Sequence, residues 1–165
     1  MSSDNATPPP ARANSAPKVV LVPLERTVIF PKEKAAALLQ AVCFFKPEGI
    51  TGYWTPTAKD LAGVEDTLEE FLKAHGWAHH DNWANFRRQV TGVKFGQAEL
   101  LFLSYFLSAP TPEEQQQIAD HDPRYDPNRW KKEPFWMNDG GEGYFRVIYD
   151  LPDSQFIWYE RNSDP

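Results

Sequence analysis

The pattern of apolar and polar residues in the last third of the chain predicts a pair of antiparallel strands. Residues 138–143 are rich in glycine, and the two runs that follow are rich in aromatic and β-branched residues, with a four-residue connection between them. Such residues suit the pleated surface of a sheet, and glycines suit the turn before it. The pattern therefore predicts a β-hairpin over about residues 144–161.

A second hairpin is predicted over about residues 86–107, where Gly96 and Gln97 separate two runs of strand-forming residues as in a tight turn. The second of these runs, residues 98–107, is apolar at both odd and even positions. This is typical of a strand covered on both faces, in part by the long loop that follows, or of a buried helix. The position of the run directly after a turn favours the strand.

The principal helix is predicted over about residues 56–75. Thr57 is suited to cap its start, Asp60 complements the positive end of the helix dipole, and Gly76 suits a left-handed stop. The predicted buried stripe consists of Leu61, Val64, Leu68, Phe71 and Leu72, while Asp60, Glu65, Asp66, Glu69 and Glu70 lie mostly elsewhere.

A shorter helix is predicted over about residues 31–43, with Ala35, Leu38, Leu39 and Val42 on its buried face. These elements indicate an α+β fold in which the principal helix packs on an antiparallel sheet made of the two hairpins. Residues 1–17, rich in proline and small polar residues, are expected to be a disordered tail. Residues 18–165 would then form a single domain with a long aromatic loop at 108–138.

Composition and charge narrow the classes of partner. The 165 residues are 41% hydrophobic, as in a folded protein, and carry a net charge of −6. An acidic chain argues against binding to nucleic acid, which needs a concentrated Lys/Arg surface. No apolar run reaches the ~18 residues of a membrane span, and the first 18 residues lack the hydrophobic segment of a secretory signal. We therefore expect a cytoplasmic protein that binds neither nucleic acid nor membrane.

The residues that could carry chemistry do not form a recognisable catalytic or metal motif. Cys43 is the single cysteine and lies among apolar residues, which favours a buried, inert thiol. Gly76 separates His75 from His79 and His80, so solvated side chains explain this cluster better than a metal site does.

The sequence likewise contains no nucleophile motif and no cofactor loop. Ser104 lacks the glycine frame of a nucleophile elbow. Residues 139–143 lack the ligand spacing of a calcium loop and the lysine of a phosphate loop. No cofactor is predicted, and an enzyme is not indicated.

The loop at 108–138 is the candidate partner-binding region. It opens with a capping-box pattern that predicts a short helix through about Ala119. Aromatic and arginine side chains dominate the energetics of protein interfaces, so they are the candidate contacts. An alternative is that the loop folds down as a lid over the sheet. The candidate residues are Arg124, Tyr125, Arg129, Trp130, Phe135 and Trp136.

Three short motifs together resemble a family of small, uncharacterised bacterial α+β proteins. They are Trp54-Thr55-Pro56 at a helix start, Arg88-Gln89-Val90-Thr91-Gly92 at the start of a hairpin, and Asp139-Gly140-Gly141 before the last two strands. The resemblance covers about residues 31–162 and implies a helix on a four-stranded antiparallel sheet, with no activity attached to it. The loop at 108–138 is longer than this pattern needs. A helix on one face of such a sheet is also the plan of cystatin-like folds, an analogy that carries no function.

Three functional hypotheses follow. The leading one is a non-enzymatic module that binds a protein partner, as an inhibitor or immunity-type protein would bind a basic target. The second is a small-molecule binder or enzyme with a pocket between helix and sheet, lined by Tyr105, Tyr149 and Glu160. The third is a structural module that self-associates through exposed sheet edges.

Overall fold

The computed structural model of the protein describes residues 19–44, 46–77, 83–107, 112–135 and 141–162. In these ranges the chain forms three α-helices and a six-stranded sheet, which confirms the predicted α+β class. The predicted tail, residues 1–17, lies outside the described residues. The elements in chain order are β1 (Thr27–Ile29), α1 (Lys32–Val42), β2 (Gly52–Trp54), α2 (Leu68–Ala74), β3 (Phe86–Phe95), β4 (Ala98–Leu107), α3 (Pro112–His121), β5 (Tyr144–Asp150) and β6 (Gln155–Arg161).

The sheet contains both predicted hairpins, β3–β4 and β5–β6, joined by antiparallel pairing of β4 with β5. Its outer position beside β3 is shared by two short strands, because β1 pairs with the first half of β3 and β2 with the second half. Strand β1 runs parallel to β3. The sheet is therefore mixed, whereas the sequence predicted an antiparallel one.

The segment predicted as the principal helix is divided. Its start follows the prediction, since the backbone N–H of Thr57 donates to Asp60 Oδ2 at 2.7 Å. Gly63 then adopts a left-handed conformation (φ 78°), which separates two 3₁₀ turns, so α2 itself has only seven residues. The predicted stripe survives this interruption, because Leu61, Val64, Leu68 and Leu72 are all buried and Phe71 is partly buried.

Both faces of the sheet are covered. Alternate residues of β4 point to opposite sides, with Leu101, Leu103 and Tyr105 toward α2, and Leu100 and Phe102 toward α1. The predicted buried face of α1 packs against the second set. Strand β4 is thus a central strand covered on both sides, as its apolar run predicts.

Gly92 allows β2 to lie close against β3. Trp54 pairs with Gly92 across the sheet, and its indole Nε1 donates to the carbonyl oxygen of Leu100 at 2.9 Å. A Cβ atom on Gly92 would lie 2.5 Å from the Trp54 side chain and from its carbonyl oxygen. A side chain at this position would therefore displace the Trp54 ring and the strand that carries it.

We predict that Gly92→Ala destabilises the protein by about 2 kcal/mol, because overpacking a fitted contact forces backbone and side chain to shift. Urea denaturation followed by circular dichroism measures the change. Gly52→Ala is the matched control in β2, where the added Cβ would make an ordinary 3.9 Å contact with Lys94. Equal midpoints for the two variants would contradict the proposed role of Gly92.

Candidate functional site

A row of buried polar side chains crosses the α1 face of the sheet. Gln89 pairs with Ser104, Ser104 with Arg146, and Arg146 with Glu160, so one residue from each of four strands stands in line. Gln89, Ser104 and Arg146 are at most 3% exposed. We call these four residues the polar row.

The β5–β6 end of the polar row is held by the Arg146 guanidinium. Its Nη2 donates to Glu160 Oε2 at 2.8 Å, and its Nη1 donates to Asn162 Oδ1. The same Glu160 oxygen accepts the backbone N–H of Phe44 at 3.1 Å, and the Phe44 ring lies over the guanidinium. The chain that leaves α1 is therefore attached to the outer strand β6 through one carboxylate.

Cys43 lies beside this ion pair and is protonated at neutral pH. Burial, reinforced by the negative charge of Glu160, raises the pKa of the Cys43 thiol to about 12, although Arg146 acts in the opposite direction. Only the thiolate is an effective nucleophile. The geometry thus agrees with an inert thiol.

The other end of the polar row attaches the segment after α3 to the sheet. Gln89 Nε2 donates to the carbonyl oxygens of Trp130 (2.6 Å) and Glu133 (2.7 Å). Gln89 Oε1 accepts the backbone N–H of Phe135 at 2.8 Å. One side chain from the sheet therefore satisfies three backbone groups of an irregular segment, residues 129–135, which we call the cover segment.

Aromatic contacts reinforce this attachment. Phe135 stacks on Phe106 with ring centroids 4.4 Å apart, and Trp130 meets the same ring edge-on at 5.9 Å. The Arg87 guanidinium lies 4.8 Å from the Trp130 ring centroid. The cover segment is therefore packed down on the sheet, as in the lid alternative.

The structure places the candidate partner-binding residues on two different surfaces. Trp130 is 6% exposed and Phe135 is partly buried, so both face the sheet. The side chains of Arg124 and Arg129 are 92% and 75% exposed, and each forms an ion pair within its own segment, with Asp122 and Glu133 respectively. Tyr125 is partly buried, and Trp136 lies outside the described residues.

The three residues proposed to line a pocket do not share one site. Tyr105 and Tyr149 lie on the α2 face of the sheet, whereas Glu160 belongs to the polar row on the α1 face. Tyr105 is fully enclosed, and its hydroxyl donates to Glu65 Oε1 at 2.9 Å. Burial raises the pKa of Tyr105 well above its usual value, and the nearby Glu65 carboxylate adds to this effect.

Glu65 is a buried residue that the sequence placed on the wrong side of its helix. It was predicted to lie away from the apolar stripe, but it is 4% exposed and pairs with Arg88 at 2.8 Å. Its second oxygen, Oε2, accepts the backbone N–H groups of Leu21 (2.7 Å) and Val22 (3.0 Å). No local signal distinguishes this carboxylate from the solvated acids around it, because its partners come from distant parts of the chain.

Helix α3 is more exposed than the cover segment. Its described side chains are all at least partly exposed, and Ile118 is 39% exposed. Ile118 lies in a shallow depression whose other described lining residues are Glu114, Gln117, His121 and Asp122. These residues recur along one face of the helix, so an apolar centre has a polar rim.

Within the described ranges, no three His, Cys, Asp or Glu side chains are grouped closely enough to hold a metal ion. His79 and His80 lie outside those ranges. None of the helices in the described part of the chain has the length and apolar composition that a membrane crossing needs. No protein-family model, curated protein or solved structure matches the chain. The family resemblance of the three motifs therefore stays a prediction.

We predict that Gln89→Ala destabilises the protein by about 3 kcal/mol, because three buried backbone groups lose their partner. Limited proteolysis should then cut within residues 112–135 at urea concentrations where the wild type is resistant. Gln97→Ala, in the exposed β3–β4 turn, is the control and should leave both measurements unchanged. Unaltered protease resistance of Gln89→Ala would contradict the attachment role of Gln89.

We also predict that Cys43 resists thiol–disulfide exchange with Ellman's reagent at pH 8 in the native protein and reacts at once in urea. A pKa of about 12 leaves roughly 10⁻⁴ of the thiol ionised at that pH. Because the chain has a single cysteine, the release of reporter from Ellman's reagent measures this site alone. Native labelling at the rate of a free thiol would show that the site is open.

Proposed function

We propose that the protein is a non-enzymatic module that binds a basic protein partner through the outer surface of α3. An inhibitor or immunity-type role against a basic target is the form of this function that we favour. The observation that carries the proposal is the contrast within residues 112–135, where the cover segment is fastened to the sheet while α3 remains exposed. The exposed helix α3 is thus followed by a segment that is attached to the sheet.

Helix α3 has no fully buried residue among its described side chains. A ten-residue helix is marginally stable by itself, and most helices gain stability by burying an apolar face. Here the apolar residue Ile118 is directed into an open depression rather than into the core. A hydrophobic centre surrounded by polar side chains is the usual anatomy of a protein interface.

The charge on α3 indicates the chemistry of the partner. Glu113, Glu114 and Asp120 are exposed carboxylates on this helix, in a chain whose net charge is −6. Complementary charge steers association and selects partners. A lysine- or arginine-rich surface is therefore the complement that this helix fits best.

The other two functional hypotheses have less support. A pocket using Tyr105, Tyr149 and Glu160 would require side chains from opposite faces of the sheet. Self-association would have to use the free edge of β6, and this strand is irregular. Ile148 of β5 pairs with Trp158 and Tyr149 pairs with Phe156, so the register shifts at Ile157. Bulges of this kind are a common protection of edge strands against pairing.

The first step of the test is a photo-crosslinking amino acid at Gln117, in the α3 depression, with the same group at Gln97 as a positional control. Both positions are exposed and lie on different elements. We expect Gln117 alone to capture a basic protein from cells. Equal capture by both positions, or capture of acidic proteins only, would overturn the proposal.

The second step measures the affinity of the purified partner for three variants. We expect Ile118→Asp to weaken binding by about tenfold or more, as a substitution at the centre of an interface does. Asp120→Lys lies on the other side of α3 and should weaken binding less, by reversing one charge of the helix. Asp120→Lys places a cation near the end of α3, where the helix dipole favours it. Asp153→Lys makes the same charge change in the β5–β6 turn and should leave affinity unaltered. A partner that binds Ile118→Asp as tightly as the wild type does not recognise α3.

A further inference from the structure

Two arginines stand side by side at the start of the sheet. Arg26 immediately precedes β1, and Arg87 lies in β3, one residue before Arg88, which pairs with Thr27. Neighbouring strands lie about 5 Å apart, so the two backbones hold these residues as neighbours. Like charges in adjacent positions of a sheet are unfavourable unless a third group offsets them.

The contacts of this pair include no carboxylate partner. The Arg87 guanidinium lies on the Trp130 ring, and Lys131 Nζ is 5.8 Å from the centroid of the same ring. Arg26 Nη1 donates to the carbonyl oxygen of Trp83 at 3.3 Å. Across the described ranges, none of the ion pairs includes Arg26, Arg87 or Lys131.

The two buried arginines of the sheet, Arg88 and Arg146, differ in this respect. Arg88 pairs with Glu65, and Arg146 pairs with Glu160, both at 2.8 Å. The chain contains 23 acidic residues against 17 Lys and Arg, so acidic side chains are plentiful. The cluster of Arg26, Arg87 and Lys131 is thus a concentration of positive charge on an acidic protein.

Arg87 is partly buried. Burial lowers the pKa of Arg87, and the positive charge of Arg26 lowers it further, whereas Tyr125 acts in the opposite direction. The Trp130 ring holds the guanidinium from one side. An anion that joins the cluster would offset the repulsion between the arginines.

We propose that Arg26, Arg87 and Lys131 form a binding site for a phosphate group. Guanidinium groups present a planar set of N–H donors that matches two phosphate oxygens at once, and a lysine adds a compact charge. Three cations suit the dianion of a phosphate ester better than the single charge of a carboxylate.

The phosphate could be carried by a small metabolite or by a phosphorylated side chain of a protein. Two probes separate these sources: inorganic phosphate, and a neutral peptide that contains one phosphoserine. Binding of both with similar affinity indicates a small phosphate compound. Binding that is at least about tenfold tighter for the peptide indicates a phosphorylated protein, because contacts beyond the phosphate then contribute.

The test titrates the full chain with each probe by isothermal calorimetry. We expect saturable binding to the wild type and a loss of about tenfold or more in Arg26→Gln/Arg87→Gln, because charge-assisted hydrogen bonds dominate phosphate recognition. Lys59→Gln/Lys73→Gln is the matched control. It removes two exposed lysines near α2, so its net charge equals that of the double arginine variant. No saturable binding of either probe to the wild type, or equal loss in the control, overturns the site.

Two further variants guard against a general disturbance of the fold. Lys131→Gln changes an exposed side chain and should weaken binding several-fold with an unchanged circular dichroism melt. Arg87→Lys keeps the charge but loses the planar fork, so it should weaken binding although the cluster retains three cations. Full binding by both variants contradicts a phosphate site built on these residues. The site lies apart from the exposed face of α3, so its failure would leave the proposed partner surface untouched.

Discussion

Both faces of strand β4 are apolar and must be shielded from solvent, and the arrangement of the remaining chain follows from this constraint. Its residues alternate between the α2 and α1 sides, and both sets are buried. The two helices are short, with seven residues in α2 and eleven in α1, so neither spans a whole face. Irregular chain must complete each layer: residues 21–22 join the core on the α2 side, and the cover segment packs on the α1 side.

Irregular covers bring backbone polar groups into buried surroundings, where an unsatisfied donor or acceptor costs about 1–3 kcal/mol. The protein solves this problem twice by the same means. Glu65 accepts the N–H groups of Leu21 and Val22, and Gln89 binds three backbone groups of the cover segment. In each case one buried polar side chain binds backbone groups of a segment that lies outside the α-helices and the sheet.

Gln89 and Glu65 differ in charge, and this difference affects how much each contributes to stability. Gln89 is neutral and carries no desolvated charge into the core. Glu65 needs Arg88 and Tyr105 to compensate its burial, and a buried ion pair of this kind gives little net stability compared with apolar residues. The Glu65 carboxylate instead determines position, because it must lie where Arg88, Tyr105 and the backbone N–H groups of two N-terminal residues converge. That requirement fixes the N-terminal segment relative to the sheet.

The sequence predicted the features that depend on neighbouring residues. Both hairpins, the Thr57 start and the apolar stripe beginning at Leu61 are local patterns, and each is present. The break at Gly63 was missed because the stripe continues through it. Strand β2 has three residues, too few for an alternation to be recognised. Gln89 and Glu65 could not be distinguished from ordinary surface positions, since their partners are more than 20 residues away in the chain.

The segment 112–135 connects the two proposed binding surfaces. The Trp130 ring contacts Arg87, and the Trp130 carbonyl oxygen accepts a hydrogen bond from Gln89. The proposed phosphate site and the attachment of the cover segment therefore share this residue. An anion bound by Arg87 and Lys131 would hold the base of α3 more firmly against the sheet. A ligand that binds only the attached arrangement stabilises it by mass action. Under the two proposals, phosphate binding would therefore reduce the entropy that α3 loses on meeting a partner, and by reciprocity the partner would strengthen phosphate binding.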